Sequence, residues 1–123
     1  MNQRSSLGKE GEEYAAEFLK KKKYKIIGRN VLKPWGELDI VAIAPDKTLV
    51  FVEVKTMEDR GEEFLSPENQ MSFSKIKKFK KAASLYAGAH EKLVDKKRGW
   101  RLDVIALSKW ADEYDARYYE NIE

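Results

Sequence analysis

Cysteine is absent from this 123-residue chain, and histidine occurs once, at His90. The first absence excludes disulfides, thiol nucleophiles, cysteine-ligated zinc and iron–sulfur clusters. The second excludes a histidine-rich metal site and leaves His90 as the sole candidate for a His-dependent triad. A metal held by this chain would be bound through oxygen, which favours Mg²⁺ or Mn²⁺. No apolar run approaches the roughly 18 residues that a membrane-spanning helix needs. The opening Met1-Asn2-Gln3-Arg4-Ser5-Ser6 has no apolar segment after its one basic residue, so we expect no signal peptide and no membrane partner. A cytoplasmic location follows by default. There are no internal repeats and no low-complexity linker, and the length suits one domain over 1–123 with a single core.

Charge is what the chain has in quantity. Charged residues make up 37% and apolar residues 42%, with a net charge of +3. Basic residues cluster at 20–23, 75–81 and 96–98. Such clusters suit a polyanionic partner such as nucleic acid. Solvated helix faces produce the same runs.

The periodicity predicts a helix from Ser5 or Ser6 to about Lys22, with either serine as its cap. Leu7, Tyr14, Ala15, Phe18 and Leu19 form its apolar stripe. Gly8 and Gly11 inside it each cost about 1 kcal/mol against alanine, which points to close approach by another element or a ligand. Strands follow over 24–31, 37–44 and 49–56, separated by Pro34-Trp35-Gly36 and by Pro45-Asp46-Lys47. The second and third are apolar on both faces apart from their acids, as central strands are. Residues 57–67 read as a polar loop. A second helix starts after Ser72, with Met71 placed to staple onto Ile76. Ile76, Phe79, Ala82, Ala83 and Tyr86 form its buried stripe, and it ends at Gly88 or extends toward Leu93. A fourth strand is predicted over 101–108 and a weaker edge strand over 116–122. The order is α-β-β-β-α-β-β, which implies an α/β fold with a five-stranded mixed sheet flanked by helices.

Two strings set acids inside this apolar frame: Gly36-Glu37-Leu38-Asp39-Ile40 and Phe51-Val52-Glu53-Val54-Lys55. Strand side chains alternate, so Glu53 and Lys55 share a face, roughly 6.5–7 Å apart along the strand. Asp39 lies across a short hairpin and can come level with Glu53. Two close carboxylates resist joint ionisation unless a cation stands between them. Mg²⁺ meets that need with few protein ligands and several waters. Lys55 would then position a water or stabilise charge in phosphodiester hydrolysis. The alternative is a buried acid–lysine pair that satisfies only itself. Glu12 stands beside the apolar stripe of the first helix, although its spacing also fits a solvent-exposed acid like Glu10, Glu13 or Glu17.

Asp39 followed by Glu53-Val54-Lys55 resembles the PD-(D/E)xK nuclease signature, with its Pro-Asp step loosened to Leu38-Asp39. More narrowly, the chain resembles the YraN-type family of predicted endonucleases, related to archaeal Holliday junction resolvases. Leu7-Gly8, Gly11-Glu12, Ala15, Ser74-Lys75, Ala82-Ala83 and Arg101-Leu102-Asp103-Val104-Ile105-Ala106 extend the likeness over nearly the whole chain. The resemblance implies a restriction-endonuclease-like core and a metal-dependent endonuclease acting on DNA, including branched or flapped DNA. It implies that Asp39, Glu53 and Glu12 bind Mg²⁺ or Mn²⁺ and that Lys55 is catalytic. Glu37 is expected beside the site, Asp103 paired with a nearby lysine, and Lys75 and Lys78 toward the phosphate backbone. Trp35 and Pro34 depart from the pattern, standing where related chains often carry a small or basic residue. Two other readings remain: a nucleic-acid-binding module without chemistry, and a subunit that needs a partner. The last strand, if exposed, leaves room for a homodimer.

Overall fold

The computed structural model describes residues 6–58 and 71–122. Its elements are α1 (Ser6–Lys21), β1 (Lys25–Lys33), β2 (Gly36–Ile43), β3 (Leu49–Glu58), α2 (Phe73–Ala89), a short 3₁₀ turn (Glu91–Leu93), β4 (Trp100–Trp110) and β5 (Glu113–Tyr119). This is the α-β-β-β-α-β-β order expected from the sequence. The strands form one sheet in the order β1-β2-β3-β4-β5. Only β3 and β4 are parallel; the other neighbours are antiparallel. The connection between β3 and β4 carries α2, as a parallel pair requires a long crossover. Residues 59–70, where much of the expected polar loop falls, lie outside those described. Among the described residues no helix is long and apolar enough to cross a membrane.

Each helix covers one face of the sheet. Ala15, Ala16 and Leu19 of α1 pack with Ile40, Ala42, Val50, Val52, Ile105 and Leu107. Phe79, Ala82, Ala83, Tyr86 and Ala87 of α2 pack with Val41, Leu49, Phe51 and Leu102. The alternation along β3 thus sends Val50 and Val52 to α1 and Leu49 and Phe51 to α2. Ser72 caps α2, its side chain accepting from Lys75 N at 3.3 Å. The helix runs through Gly88 to Ala89, one residue beyond the earlier of the two expected ends.

A Cβ on Gly11 would run directly onto Thr56 Oγ1 and would stand 3.2 Å from Thr56 Cβ and Cγ2. The close approach expected of the α1 glycines is therefore a helix–strand contact, made at the residue after Lys55. The edge strand β5 begins at Glu113, three residues before the expected start. Tyr114, Ala116 and Tyr118 turn inward against the α1-side core, and the residues between them are exposed. A tight turn with Ala111 at φ 55° links it to β4.

Asp103 is wholly buried on β4. The lysine partner expected for it is corrected: Arg101, on the same face of β4, donates from Nε to both carboxylate oxygens at 3.1 and 3.2 Å. Tyr118 also donates to Asp103, and Asn121 N donates at 2.9 Å. Arg101 Nη2 donates to the Tyr24 hydroxyl at 2.8 Å, tying the segment after α1 into the same cluster. Burial pushes the Asp103 carboxyl up, and these partners oppose the shift.

Two substitutions test this frame. Gly11→Ala should destabilise the protein by about 1–3 kcal/mol through overpacking, and the Gly11→Ala/Thr56→Ala double variant should recover most of it in urea unfolding. Asp103→Ala strands the Arg101 guanidinium and should cost about 3–5 kcal/mol, read by the same measurement.

Candidate functional site

The β2–β3 ladder runs from Ile43–Leu49 to Ile40–Val52 and ends there. The β3–β4 ladder continues on to Glu58–Lys109. Beyond Val52, β3 therefore keeps one neighbour and has lost the other. Extended by one step, the ended register would set Asp39 opposite Glu53. Instead, Asp39 Oδ2 accepts a hydrogen bond from Val54 N at 2.9 Å. The carboxylate takes the place that a β2 carbonyl would have filled, so a buried N–H is not orphaned where the strands part.

Glu53 stands beside that end of the ladder, on the α2 face of β3. Its Oε2 lies 3.0 Å from Lys55 Nζ, and the two side chains are 20% and 19% exposed. Burial, and then the neighbouring charge of Asp39, push the Glu53 carboxyl up to about 7, against the opposing pull of Lys55. Glu53 and Lys55 line a cleft of about 500 Å³ between the sheet and α2, together with Glu37, Trp35, Lys75, Lys78 and Lys81. Gly36, at φ 152°, opens β2 on the wall of this cleft, and a Cβ there would stand 3.2 Å from Ala82 Cβ. The turn carrying Trp35 is thus seated closely on α2.

The structure therefore brings together Asp39, Glu53 and Lys55, places Glu37 on the same cleft and aims Lys75 and Lys78 into it. Lys81 and Trp35 join them without having been singled out as cleft residues. Lys81 follows Lys78 by three residues, a spacing that was available in the sequence. Trp35 carried no such signal beyond its place next to Gly36. Glu12 is 3% exposed, unlike Glu10, Glu13 and Glu17. The solvent-exposed alternative for Glu12 is thereby corrected, and the cause is the Gly11–Thr56 contact that presses this turn of α1 onto β3. Its helix stands on the face of β3 opposite to Glu53 and Lys55.

Among the described residues, no group of three or more His, Cys, Asp or Glu side chains is arranged to hold a metal ion. Asp39 and Glu53 are two acids that stand together here. That pair fits a hard divalent cation on chemical grounds. A carboxyl held near 7 by burial beside a second acid lacks positive charge that Lys55 only partly supplies, and Mg²⁺ commonly binds through one or two carboxylates and keeps several waters.

The model of the family described as Uncharacterised protein family UPF0102 matches residues 11–107. The chain belongs to this family. A UPF0102 protein of Syntrophotalea carbinolica is 38% identical over 117 residues, covering 95% of this chain and 90% of its own length. A UPF0102 protein of Flavobacterium johnsoniae is 36% identical over 114 residues, covering 93% and 90%. One of Syntrophomonas wolfei is 51% identical over 80 residues, covering 65% of this chain and 67% of its own. The UPF0102 match spans α1 from Gly11 through β4 to Leu107 and so contains every residue of the cleft. Neither the family's description nor these relatives' names carry an activity.

The Glu53 shift has a stability consequence of definite sign. Its ordinary value is 4.5, and in the folded chain it is about 7. Below pH 4.5 both folded and unfolded chains hold the proton. As pH rises toward 7 the unfolded chain releases it first, so stability falls, and above 7 the loss is complete at about 3 kcal/mol. Glu53→Gln removes this titration. Without divalent cations, urea unfolding should show Glu53→Gln gaining on the parent chain between pH 4 and pH 8; a constant difference would refute the assignment.

Proposed function

We propose that this chain is a metal-dependent endonuclease that hydrolyses phosphodiester bonds of DNA, including branched or structured DNA. The observation that carries the reading is the convergence of Asp39, Glu53 and Lys55 where β2 parts from β3, in a cleft walled by lysines. Asp39 and Glu53 would hold Mg²⁺ or Mn²⁺. When bound, such an ion supplies Lewis-acid polarisation of a phosphoryl oxygen. Lys55 holds its ammonium where it can orient a water and stabilise charge developing on the phosphate. Lys75 and Lys78 attract and place the phosphate backbone, and Glu37 borders the pair. Glu12, buried on α1, takes a supporting part outside the pair that grips the ion.

One observation favours a second reading, a nucleic-acid-binding module without chemistry. The 3.0 Å ion pair gives Glu53 a cationic partner without a metal. The two readings separate on cation binding. In the nuclease, Mn²⁺ would bind the ionised Asp39–Glu53 pair and raise the unfolding temperature at pH 8; Asp39→Asn and Glu53→Gln would abolish that rise. In the module, no variant changes the response to Mn²⁺.

Incubation with linear, flapped and four-way DNA in Mg²⁺ or Mn²⁺ provides the direct assay. Asp39→Asn, Glu53→Gln and Lys55→Ala should each reduce cleavage by about 100-fold or more, and Glu12→Gln by less. Since Glu53→Gln is expected to stabilise the fold at pH 8, its loss of activity cannot be ascribed to unfolding. Cleavage that persists unchanged in Asp39→Asn and Glu53→Gln would overturn the proposal.

A further inference from the structure

The cleft over Glu53 and Lys55 lies between the sheet and α2. Its volume, about 500 Å³, is that of a site for a small ligand or a short stretch of a chain. Both side chains are four-fifths buried, so a phosphate has to come into the cleft to meet them.

The walls supply the two features that single-strand binding needs. Lys75, Lys78 and Lys81 recur every third residue, a cationic rail along about 9 Å of α2. Trp35 lines the same cleft. It packs in part against the α2-side core, and it is neither buried nor fully exposed. The close seating of Gly36 on Ala82 limits the freedom of its turn. An aromatic ring held beside a lysine track offers a base a stacking surface while its phosphates meet the ammonium groups. Such binding tolerates sequence, because every base has a π-face, and it excludes bases already stacked in a duplex.

We propose that the ligand of this cleft is an unpaired DNA strand, and that Trp35 stacks on one of its bases while the α2 lysines hold the adjoining phosphates. This names the substrate class of the site described above: flaps, gaps and the open strands of branched structures, in preference to blunt duplex.

Binding tests it without requiring cleavage. The full chain, in EDTA, is titrated against a short fluorescent single strand and against the blunt duplex of the same sequence, read by anisotropy. The parent chain should bind the single strand more tightly. Trp35→Leu keeps apolar bulk against the core but has no ring, and should weaken single-strand binding by about 5- to 100-fold. Trp35→Phe should retain most of the affinity, and both variants should hold the duplex within about twofold of the parent chain. Lys75→Ala/Lys78→Ala should flatten the salt dependence of single-strand binding. Thermal unfolding of each variant confirms that the comparison is made on folded protein. Preference for the blunt duplex, parent-like single-strand binding by Trp35→Leu, or equal losses on both ligands would overturn the proposal. Should the expected binding pattern appear with no cleavage in any divalent cation, the nuclease reading fails and this one stands. Should duplex be cut in a manner indifferent to Trp35→Leu, the reverse holds.

Discussion

The hydrogen bond from Val54 N–H to Asp39 is the interaction on which the site depends. A central strand can release a neighbour only if its freed backbone groups find other partners. Asp39 supplies that partner as its own strand turns away, and so one carboxylate both ends the ladder and stands beside Glu53. Glu53 and Lys55 stand on the α2 face at that point, so the end of the ladder and the cleft coincide.

Two carboxylates on the central strands, Asp103 and the partly buried Glu53, are treated in opposite ways. Asp103 is surrounded by donors: the Arg101 guanidinium, the Tyr118 hydroxyl and the Asn121 amide. It joins α1's following segment, β4 and the chain after β5, and burial is offset within the protein. Glu53 has an acid on one side and a lysine on the other. The surrounding protein leaves its charge short of compensation. The first arrangement belongs to a core that is finished; the second leaves a demand for positive charge that a ligand can meet. Burial by itself would not have separated the two, since both groups are pushed toward their neutral forms. The partners make the distinction.

Much of this was legible in the sequence because the signals were local. The apolar periods and turn residues gave the order of elements, and charge set inside apolar strands gave Asp39, Glu53 and Lys55. What was not legible depended on contacts between distant segments. Helical spacing set Glu12 beside the apolar stripe but did not show that its turn is held down on the sheet; Thr56, on another element, shows that by its contact with Gly11. The Asp103 partner was sought among lysines, whereas Arg101 lay two residues away and Tyr24 and Tyr118 arrived from the far ends of the chain. The start of β5 was missed because its turn places Ala111 at positive φ with no glycine or asparagine to announce it. Trp35 gained its meaning only when α2 came to rest against the turn that carries it.

The unequal ladders also set an order of loosening. β1 and β2 are paired along nearly their whole lengths, from Lys25–Ile43 to Lys33–Gly36, yet β2 grips β3 only as far as Ile40–Val52. On the other side, β3 is joined to β4 from Leu49–Trp100 to Glu58–Lys109. The β1–β2 hairpin therefore shares a short ladder with β3, in addition to the packing of Ile40, Ala42 and Val41 under the two helices. Cooperative local opening follows such boundaries. The hairpin's detachment would carry Asp39, Glu37 and Trp35 away together while Glu53 and Lys55 stay with β4. Amide protection at Val52 and Val54 should accordingly be the most sensitive record of whether the two halves of the cleft are assembled.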